Sequence, residues 1–206
     1  MDVISILKKV GAVLSDGHFV GISGRHMGTY ITKDALFPHV LDMKQVCKMF
    51  AEKNKDLDVE VVAAPAVGGI VFAQGVAYEL SKIHNKEILA VFTEKTPEAG
   101  QVFTRGYDAY VKDKRVLVLE DLTTTGGSIE KVIKSVRGAG GNVIGVAVMV
   151  NKDPDNITEK SFGVPFRALG ELKVETFEEG QCPLCKNNVP INTKFGHGNK
   201  FLESMK

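Results

Sequence analysis

Apolar residues in the central part of the chain follow two spacings, one typical of buried strands and one typical of amphipathic helices. Nearly continuous apolar runs predict strands at residues 59–63, 88–92, 115–119 and 143–150, and helical spacing predicts helices at residues 69–81 and 128–137. Strands joined by such helices need crossover connections, which produce a parallel sheet with helices on both faces. The pattern therefore predicts an α/β fold with its ligand site at the carboxyl ends of the strands.

The two ends of the chain contribute shorter elements around this central unit. Helices are predicted at residues 2–14 and 38–54, and short strands at residues 18–21, 29–32, 166–169 and 172–177. A polar, glycine-containing tail follows the last strand. No internal repeat or long linker interrupts the sequence, so residues 1–206 are predicted to form a single domain.

Composition and charge are those of an ordinary folded protein. Of the 206 residues, 44% are hydrophobic and 25% are charged, a balance that excludes a disordered or collagen-like chain. The 26 basic and 25 acidic side chains leave a net charge of +1. A charge this small argues against a nucleic-acid partner and against binding to an anionic membrane.

The sequence also lacks the features of a membrane or secreted protein. No stretch approaches the ~18 uninterrupted apolar residues that span a bilayer, and the first residues do not have the charge order of a secretory signal. The three cysteines, an odd number without a framework, favour a reducing compartment. We therefore expect a cytoplasmic protein with no membrane partner.

The most informative segment follows the predicted strand at residues 115–119. It reads Glu120-Asp121-Leu122-Thr123-Thr124-Thr125-Gly126-Gly127-Ser128 and leads into a helix. Hydroxyls, glycines and the free amide groups of a helix start suit phosphate binding, whereas the two carboxylates must face sugar hydroxyls, a metal ion or a developing positive charge. A P-loop lysine and a dinucleotide fingerprint are both missing. The alternative is a simple strand-to-helix turn in which Ser128 is the N-cap.

Residues 116–128 resemble the phosphoribosyl-pyrophosphate signature of type I phosphoribosyltransferases, with a hydrophobic strand, an acidic pair, a Thr-Thr-Gly core and a closing serine. Further segments also resemble the family, in order along the chain. Residues 23–26 and 30–33 resemble the hood of its orotate enzymes, residues 64–70 resemble the family's pyrophosphate-binding loop, and residues 92–95, 105–107 and 182–185 resemble one bacterial orotate branch. The resemblance covers nearly the whole sequence.

The resemblance implies the type I fold, a parallel sheet flanked by helices with a small hood. The core would span about residues 55–155, and the hood would be built from about residues 1–45 and 165–206. The expected phosphoribosyl-pyrophosphate contacts are Glu120, Asp121, Thr123, Thr124, Thr125, Gly126, Gly127, Ser128, Ala66, Val67 and Gly68. Mg²⁺ is the expected cofactor, held by substrate oxygens and water rather than directly by protein side chains.

The same resemblance implies an enzyme that transfers a phosphoribosyl group from phosphoribosyl pyrophosphate to a nucleobase, orotate in the first place, and releases pyrophosphate. The catalytic residues would be Lys95, Arg105, Glu120 and Asp121. The base contacts would be Lys33, Thr124, Lys152 and Arg25. A homodimer is implied, in which the mobile loop of one subunit, residues 94–107, reaches the site of its neighbour.

Three departures from the family pattern concern the base and the loop. Glu98 and Gly100 stand where the branch places a lysine and a histidine, and Ile22 replaces a lysine. Asn151-Lys152 replaces an Asp-Arg pair, and a lysine cannot form the bidentate contact of an arginine. Two alternatives therefore stay open: transfer to another pyrimidine or purine base, and a non-catalytic regulator that senses phosphoribosyl pyrophosphate.

Cys182 and Cys185 have the spacing of zinc ligands, but such a site needs four ligands. Only His197 lies nearby in sequence, so the fourth ligand would have to come from Cys47 or a second chain. The favoured interpretation is a tight turn with two reduced thiols. His26 has two interpretations, a contact to the donor's pyrophosphate and a hydrogen-bonded turn histidine.

Overall fold

A computed structural model describes residues 2–204 of the chain. The strands are β1 (Val13–Leu14), β2 (Phe19–Val20), β3 (His26–Met27), β4 (Tyr30–Ile31), β5 (Val61–Pro65), β6 (Leu89–Lys95), β7 (Gln101–Phe103), β8 (Arg115–Thr123), β9 (Asn142–Asn151), β10 (Phe166–Glu171) and β11 (Thr176–Phe177). The α-helices are α1 (Val3–Lys9), α2 (Val40–Lys53), α3 (Gly68–His84), α4 (Asp108–Val111), α5 (Gly127–Gly138), α6 (Glu159–Phe162), α7 (Pro183–Lys186) and α8 (Gly198–Ser204). Two short 3₁₀ helices lie at Lys33–Ala35 and Glu179–Gln181.

The largest sheet has six strands in the order β10-β9-β8-β5-β6-β7. All neighbouring strands are parallel except β7, which is antiparallel to β6. This arrangement confirms the predicted parallel sheet. Strands β5, β8 and β9 are adjacent, so the loops that follow them meet at one edge of the sheet.

Both faces of the sheet are covered. Because side chains alternate along a strand, Leu117 and Leu119 of β8 point to one face, and Val116 and Val118 point to the other. The first face packs against α1, α2 and α3, and the second packs against α5 and α6. The sheet is therefore a buried central layer, as near-continuous apolar strands predict.

Residues from the two ends of the chain share a small antiparallel sheet with the strand order β11-β3-β2. Strand β3 pairs with β2 on one side and with β11 on the other. Strands β1 and β4 form a separate antiparallel pair. Among the described residues, no helix combines the length and apolar composition needed to cross a bilayer.

Several predicted elements have other bounds in the structure. The helix predicted at residues 2–14 ends at Lys9, because Gly11 takes a left-handed backbone (φ +71°) and Val13 pairs with Ile31 in a strand. The strand predicted at residues 172–177 forms only at Thr176–Phe177. Residues 88–92 belong to a longer strand, which ends at Lys95 and pairs with β7.

Candidate active site

A cleft of about 400 Å³ opens where the large sheet meets the small one. One wall is the loop from the end of β8 into α5. The opposite wall comes from the turn between β2 and β3 and from the segment around β11. The lining residues are Gly21, Ile22, Ser23, Arg25, Met27, Glu120, Leu122, Thr123, Thr124, Thr125, Gly126, Gly127, Ser128, Ile129, Lys152, Val174 and Thr176.

The loop after β8 forms a compact cradle at the start of α5. Gly126 adopts a left-handed conformation (φ +78°), and its amide donates a hydrogen bond of 3.1 Å to Thr123 Oγ1. The N-cap of α5 is Gly126 and no side chain caps the helix, so the alternative in which Ser128 is the N-cap is wrong. The first amide groups of α5 are thus left for an anion, as at other phosphate-binding helix starts.

Glu120 and Asp121 are both buried at the end of β8. Burial and the neighbouring Asp121 carboxylate raise the pKa of Glu120 to about 8. Asp121 forms an ion pair with Lys33, which comes from the 3₁₀ helix before α2. Burial opposes the charge of Lys33, but the Asp121 carboxylate outweighs it and raises the pKa of the lysine. Of the two carboxyl groups, Asp121 is therefore paired with a cation and Glu120 is not.

The loop after β5 approaches the same ion pair. The peptide bond between Ala66 and Val67 is cis, and α3 begins at Gly68. A Cβ on Gly68 would lie 2.8 Å from Asp121 Oδ2 and 3.1 Å from Lys33 Nζ, so a larger residue would displace this ion pair. The structure therefore brings the predicted pyrophosphate segment, Ala66 to Gly68, beside Asp121.

Asn151 and Lys152, at the end of β9, have different positions: Asn151 is a buried structural residue, and Lys152 lines the cleft. Asn151 is buried, and its side chain donates to the carbonyl of Ile157 (2.9 Å) and accepts from the amide of Asp153 (3.1 Å). Lys152 lines the cleft, and burial lowers its pKa against the opposing effect of Asp121. Lys152 forms no ion pair within the described part of the chain, residues 2–204, so its amino group is available to a ligand in the cleft.

Arg25 lines the opposite wall, but its guanidinium is already engaged. Nε donates to Thr176 Oγ1 (2.8 Å), Nη2 donates to the Thr176 carbonyl (2.9 Å), and Nη1 pairs with Glu178. Arg25 therefore fixes the segment around β11 against the turn between β2 and β3. Its neighbour His26 is buried, hydrogen-bonds to His18 at 2.7 Å and does not line the cleft.

The two cations of residues 94–107 are not brought to the cleft. Lys95 ends β6 and is exposed, and Arg105 pairs with Glu94 (Nη2 to Oε1, 3.3 Å). The segment expected to be a loop is partly a strand, because Gln101–Phe103 forms β7 along β6. Tyr107 packs edge-to-face on Phe92, with 5.1 Å between the ring centroids.

Sequence reasoning missed the apolar and C-terminal part of the cleft, namely Met27, Leu122, Ile129, Val174 and Thr176. The segment after β10 continues alongside the end of β9, since the Leu172 amide donates to the Asn151 carbonyl (3.0 Å) and the Val174 amide to the Lys152 carbonyl (3.4 Å). This continuation places Val174 and Thr176 at the cleft. The strand-like pattern at residues 172–177 was the available signal, but it does not reveal the partner.

Comparison with known proteins agrees with this geometry. A family described as phosphoribosyl transferase domain matches residues 34–164. The orotate phosphoribosyltransferase of Caldanaerobacter subterraneus is 37% identical over 189 residues, 92% of this chain and 93% of its own. That of Thermus thermophilus is 36% identical over 191 residues, 93% and 98% of the two chains. The crystal structure of the enzyme from Aeropyrum pernix, 28% identical, has a TM-score of 0.65 over 82% of this chain and 92% of that one.

Proposed function

This chain belongs to the phosphoribosyltransferase family, and we propose on that premise that it transfers the phosphoribosyl group of phosphoribosyl pyrophosphate to orotate. The products are orotidine 5'-monophosphate and pyrophosphate. The observation that carries the proposal is the cradle after β8, where open helix amides and two buried carboxyl groups lie within nine residues. Similarity to two curated orotate enzymes over more than nine-tenths of the chain supports the choice of orotate.

The cradle would hold the donor through its 5-phosphate. The amides at the start of α5 and the hydroxyls of Thr125 and Ser128 offer neutral donors, and Gly126 allows the phosphate to approach the backbone closely. Glu120 and Asp121 would then lie beside the ribose ring and accept hydrogen bonds from its hydroxyls. This placement puts negative charge close to C1, where positive charge develops as the C1–oxygen bond breaks.

The second loop would face the leaving group. Gly68 lies beside Asp121, Ala66 and Val67 come directly before it, and the loop follows β5, which pairs with β8. Lys33, held by Asp121, places a cation in the same region. The base would lie between Lys152 and the wall formed by Arg25 and Thr176, with Thr124 at its edge.

The carboxyl groups suit Mg²⁺, which prefers oxygen ligands and keeps much of its water. Glu120 forms no ion pair among residues 2–204, and burial and the Asp121 carboxylate raise its pKa more than the nearby Lys33 lowers it. When bound, Mg²⁺ would neutralise charge on the pyrophosphate oxygens. Glu120 and Asp121 would meet it through water or through the ribose hydroxyls.

We also propose that the chain acts as a homodimer in which residues 94–107 of one subunit serve the cleft of the other. Lys95 and Arg105 do not line the cleft of their own chain. Val71 and Tyr78, seven residues apart on α3, present exposed apolar side chains suited to such an interface.

Mixing two inactive proteins tests this arrangement. One carries Glu120→Gln with Asp121→Asn, and the other carries Lys95→Ala with Arg105→Ala. Exchange of subunits should restore activity if the loop acts on its neighbour. An active monomer by light scattering, or no recovery after exchange, contradicts the shared site.

The choice of base is tested directly with a panel of nucleobases. Each base is mixed with phosphoribosyl pyrophosphate, Mg²⁺ and the purified chain, and pyrophosphate release is measured. Orotate should give the highest kcat/KM, and uracil, hypoxanthine and adenine serve as matched alternatives. Turnover with another base alone would transfer the assignment to that base, and donor binding without any turnover would favour a regulator.

A further inference from the structure

Four side chains that phosphoribosyl transfer does not use converge at the far side of the small sheet. They are His18, His26, Cys182 and Cys185, and their potential ligand atoms all lie within 4.8 Å of one another. The first three are buried and Cys185 is half-buried. The further ligands that the sequence suggested, His197 and Cys47, are not in this cluster, and His18 and His26 stand in their place.

The distances between these atoms approach those of a tetrahedral zinc site. Cys182 Sγ and Cys185 Sγ lie 3.8 and 3.7 Å from His18 Nε2, and Cys185 Sγ lies 3.4 Å from His26 Nδ1. Zn–S bonds of about 2.3 Å and Zn–N bonds of about 2.0–2.1 Å give a nitrogen–sulfur edge of about 3.6 Å. The two imidazole nitrogens, 2.7 Å apart, would have to separate by about 0.6 Å to reach a nitrogen–nitrogen edge of about 3.3 Å.

His18 is already oriented for coordination. Its other ring nitrogen, Nδ1, lies 2.7 Å from the carbonyl of Val189. Since a carbonyl can only accept, Nδ1 carries the proton and Nε2 presents its lone pair to the cluster. Histidine ligands of zinc are commonly held by this kind of hydrogen bond from the second ring nitrogen.

We propose that His18 Nε2, His26 Nδ1 and the thiolates of Cys182 and Cys185 bind one zinc ion. Two imidazoles and two thiolates form one of the usual sets of structural zinc ligands. Binding releases one proton from each thiol, and the two thiolates balance the charge of the ion. A closed set of four protein ligands leaves no position for a substrate, so the role is structural rather than catalytic.

The ion would join the two ends of the chain. His18 and Cys182 are 164 residues apart, and a link over such a distance stabilises the tail against separation from the rest of the fold. His26 is next to Arg25, which holds Thr176 in the wall of the cleft. The ion would thus fix the C-terminal wall without touching the substrates.

Metal analysis of the full chain tests the proposal. Protein produced in zinc-supplemented medium is measured by plasma mass spectrometry, and Co²⁺ is exchanged into a second sample. We expect one equivalent of zinc per chain, together with the thiolate-to-cobalt charge-transfer band and the strong d–d bands of tetrahedral Co²⁺.

Two cysteine variants provide the comparison. Cys185→Ser changes the half-buried ligand and should lose the stoichiometric zinc while keeping the far-ultraviolet circular dichroism of the parent. Cys47→Ala, on α2 and outside the cluster, should keep it. Chelation of zinc from the parent should also expose the tail after β11 to protease, a readout that does not depend on activity.

Two results would overturn the proposal. The first is a parent protein that contains no zinc and takes up no Co²⁺, including one in which Cys182 and Cys185 are joined in a disulfide. The second is stoichiometric zinc in the Cys185→Ser variant.

Discussion

The two walls of the cleft are built in different ways. The donor wall comes from one continuous segment, Glu120 to Ser128, and offers mostly backbone amides, hydroxyls and carboxylates fixed by β8 and α5. The base wall combines residues 21–27 with residues 174–176, which are about 150 residues away in sequence, and it is held by side chains such as Arg25. The donor wall therefore depends on local backbone geometry, whereas the base wall depends on how two distant segments are joined.

This difference has a functional consequence. A phosphate group is recognised in the same way whatever base is attached, so a local backbone cradle suffices for it. A base wall assembled from side chains of distant segments can change its specificity by substitution, without disturbing the cradle. Ile22 and Lys152, two positions where this chain departs from the family pattern, both line the cleft outside the phosphate loop.

The largest expected effect is on the donor wall. The double variant Glu120→Gln with Asp121→Asn should lower turnover about 10³-fold or more, because the Asp121 carboxylate and the Glu120 carboxyl group beside the developing positive charge at C1 are both lost. Steady-state kinetics with circular dichroism checks activity and folding together. Glu130→Gln, an exposed carboxylate on α5 outside the cleft, is the matched control and should retain parental turnover. Parental turnover in the double variant would contradict the assignment of this wall.

The next effect concerns residues 94–107, which belong to neither wall. Lys95→Ala and Arg105→Ala should each lower kcat by about 10- to 1000-fold, with a much smaller change in donor affinity, if each contacts pyrophosphate in the transition state. Lys160→Ala, an exposed lysine on α6, provides the control. Parental kinetics in both loop variants would show that two walls alone suffice for catalysis.

The contrast between the walls also explains what the sequence could reveal. The order of central strands and helices was predictable because the spacing of apolar residues within each element identifies it as a strand or a helix. Among those central elements, the largest boundary difference is at the end of β8, predicted at residue 119 and observed at Thr123. The cradle was predictable because its nine residues are contiguous in the sequence, so the combination of carboxylates, hydroxyls and glycines is visible without the fold.

Features that depend on distant partners were not predictable. The pairing of β3 with β11 joins His26 to Phe177, and nothing in either segment identifies the other. His18 was overlooked because its sulfur neighbours lie near the other end of the chain. Strand β7 was overlooked because Pro97 and Gly100 mark the segment as a loop, although only the turn between β6 and β7 needs them.

A third prediction tests the base wall alone. Arg25→Gln removes two charged hydrogen bonds to Thr176, each worth about 1.5–3 kcal/mol, and an exposed ion pair with Glu178 worth about 0–1 kcal/mol, so the KM for orotate should rise on the order of 10- to 100-fold. The donor KM should change much less, because the cradle does not contact Arg25. Arg137→Gln, at the exposed end of α5, is the control. Equal changes in both KM values would show that the two walls are not independent.

The smallest expected effect returns to the donor wall and changes only its backbone. Gly126→Ala forces a left-handed conformation on a residue with a side chain and places a Cβ 3.1 Å from the ring of Phe162. The conformational cost is about 1–2 kcal/mol, and the melting temperature of a chain of this size should fall by about 2–8 °C. The donor KM should rise by up to about tenfold while the orotate KM stays near that of the parent, the reverse of the pattern for Arg25→Gln.

Gly138→Ala is the matched control for this backbone change. Gly138 ends the same helix, has open space where a Cβ would lie and has no left-handed backbone. Because alanine is the better helix former by about 1 kcal/mol, this variant should melt at or above the parental temperature with unchanged KM values. Thermal melts and substrate titrations of the two variants together separate a general loss of stability from damage to the cradle. A donor KM that rises equally in both would show that α5 as a whole, rather than the left-handed turn at Gly126, sets the affinity for the donor.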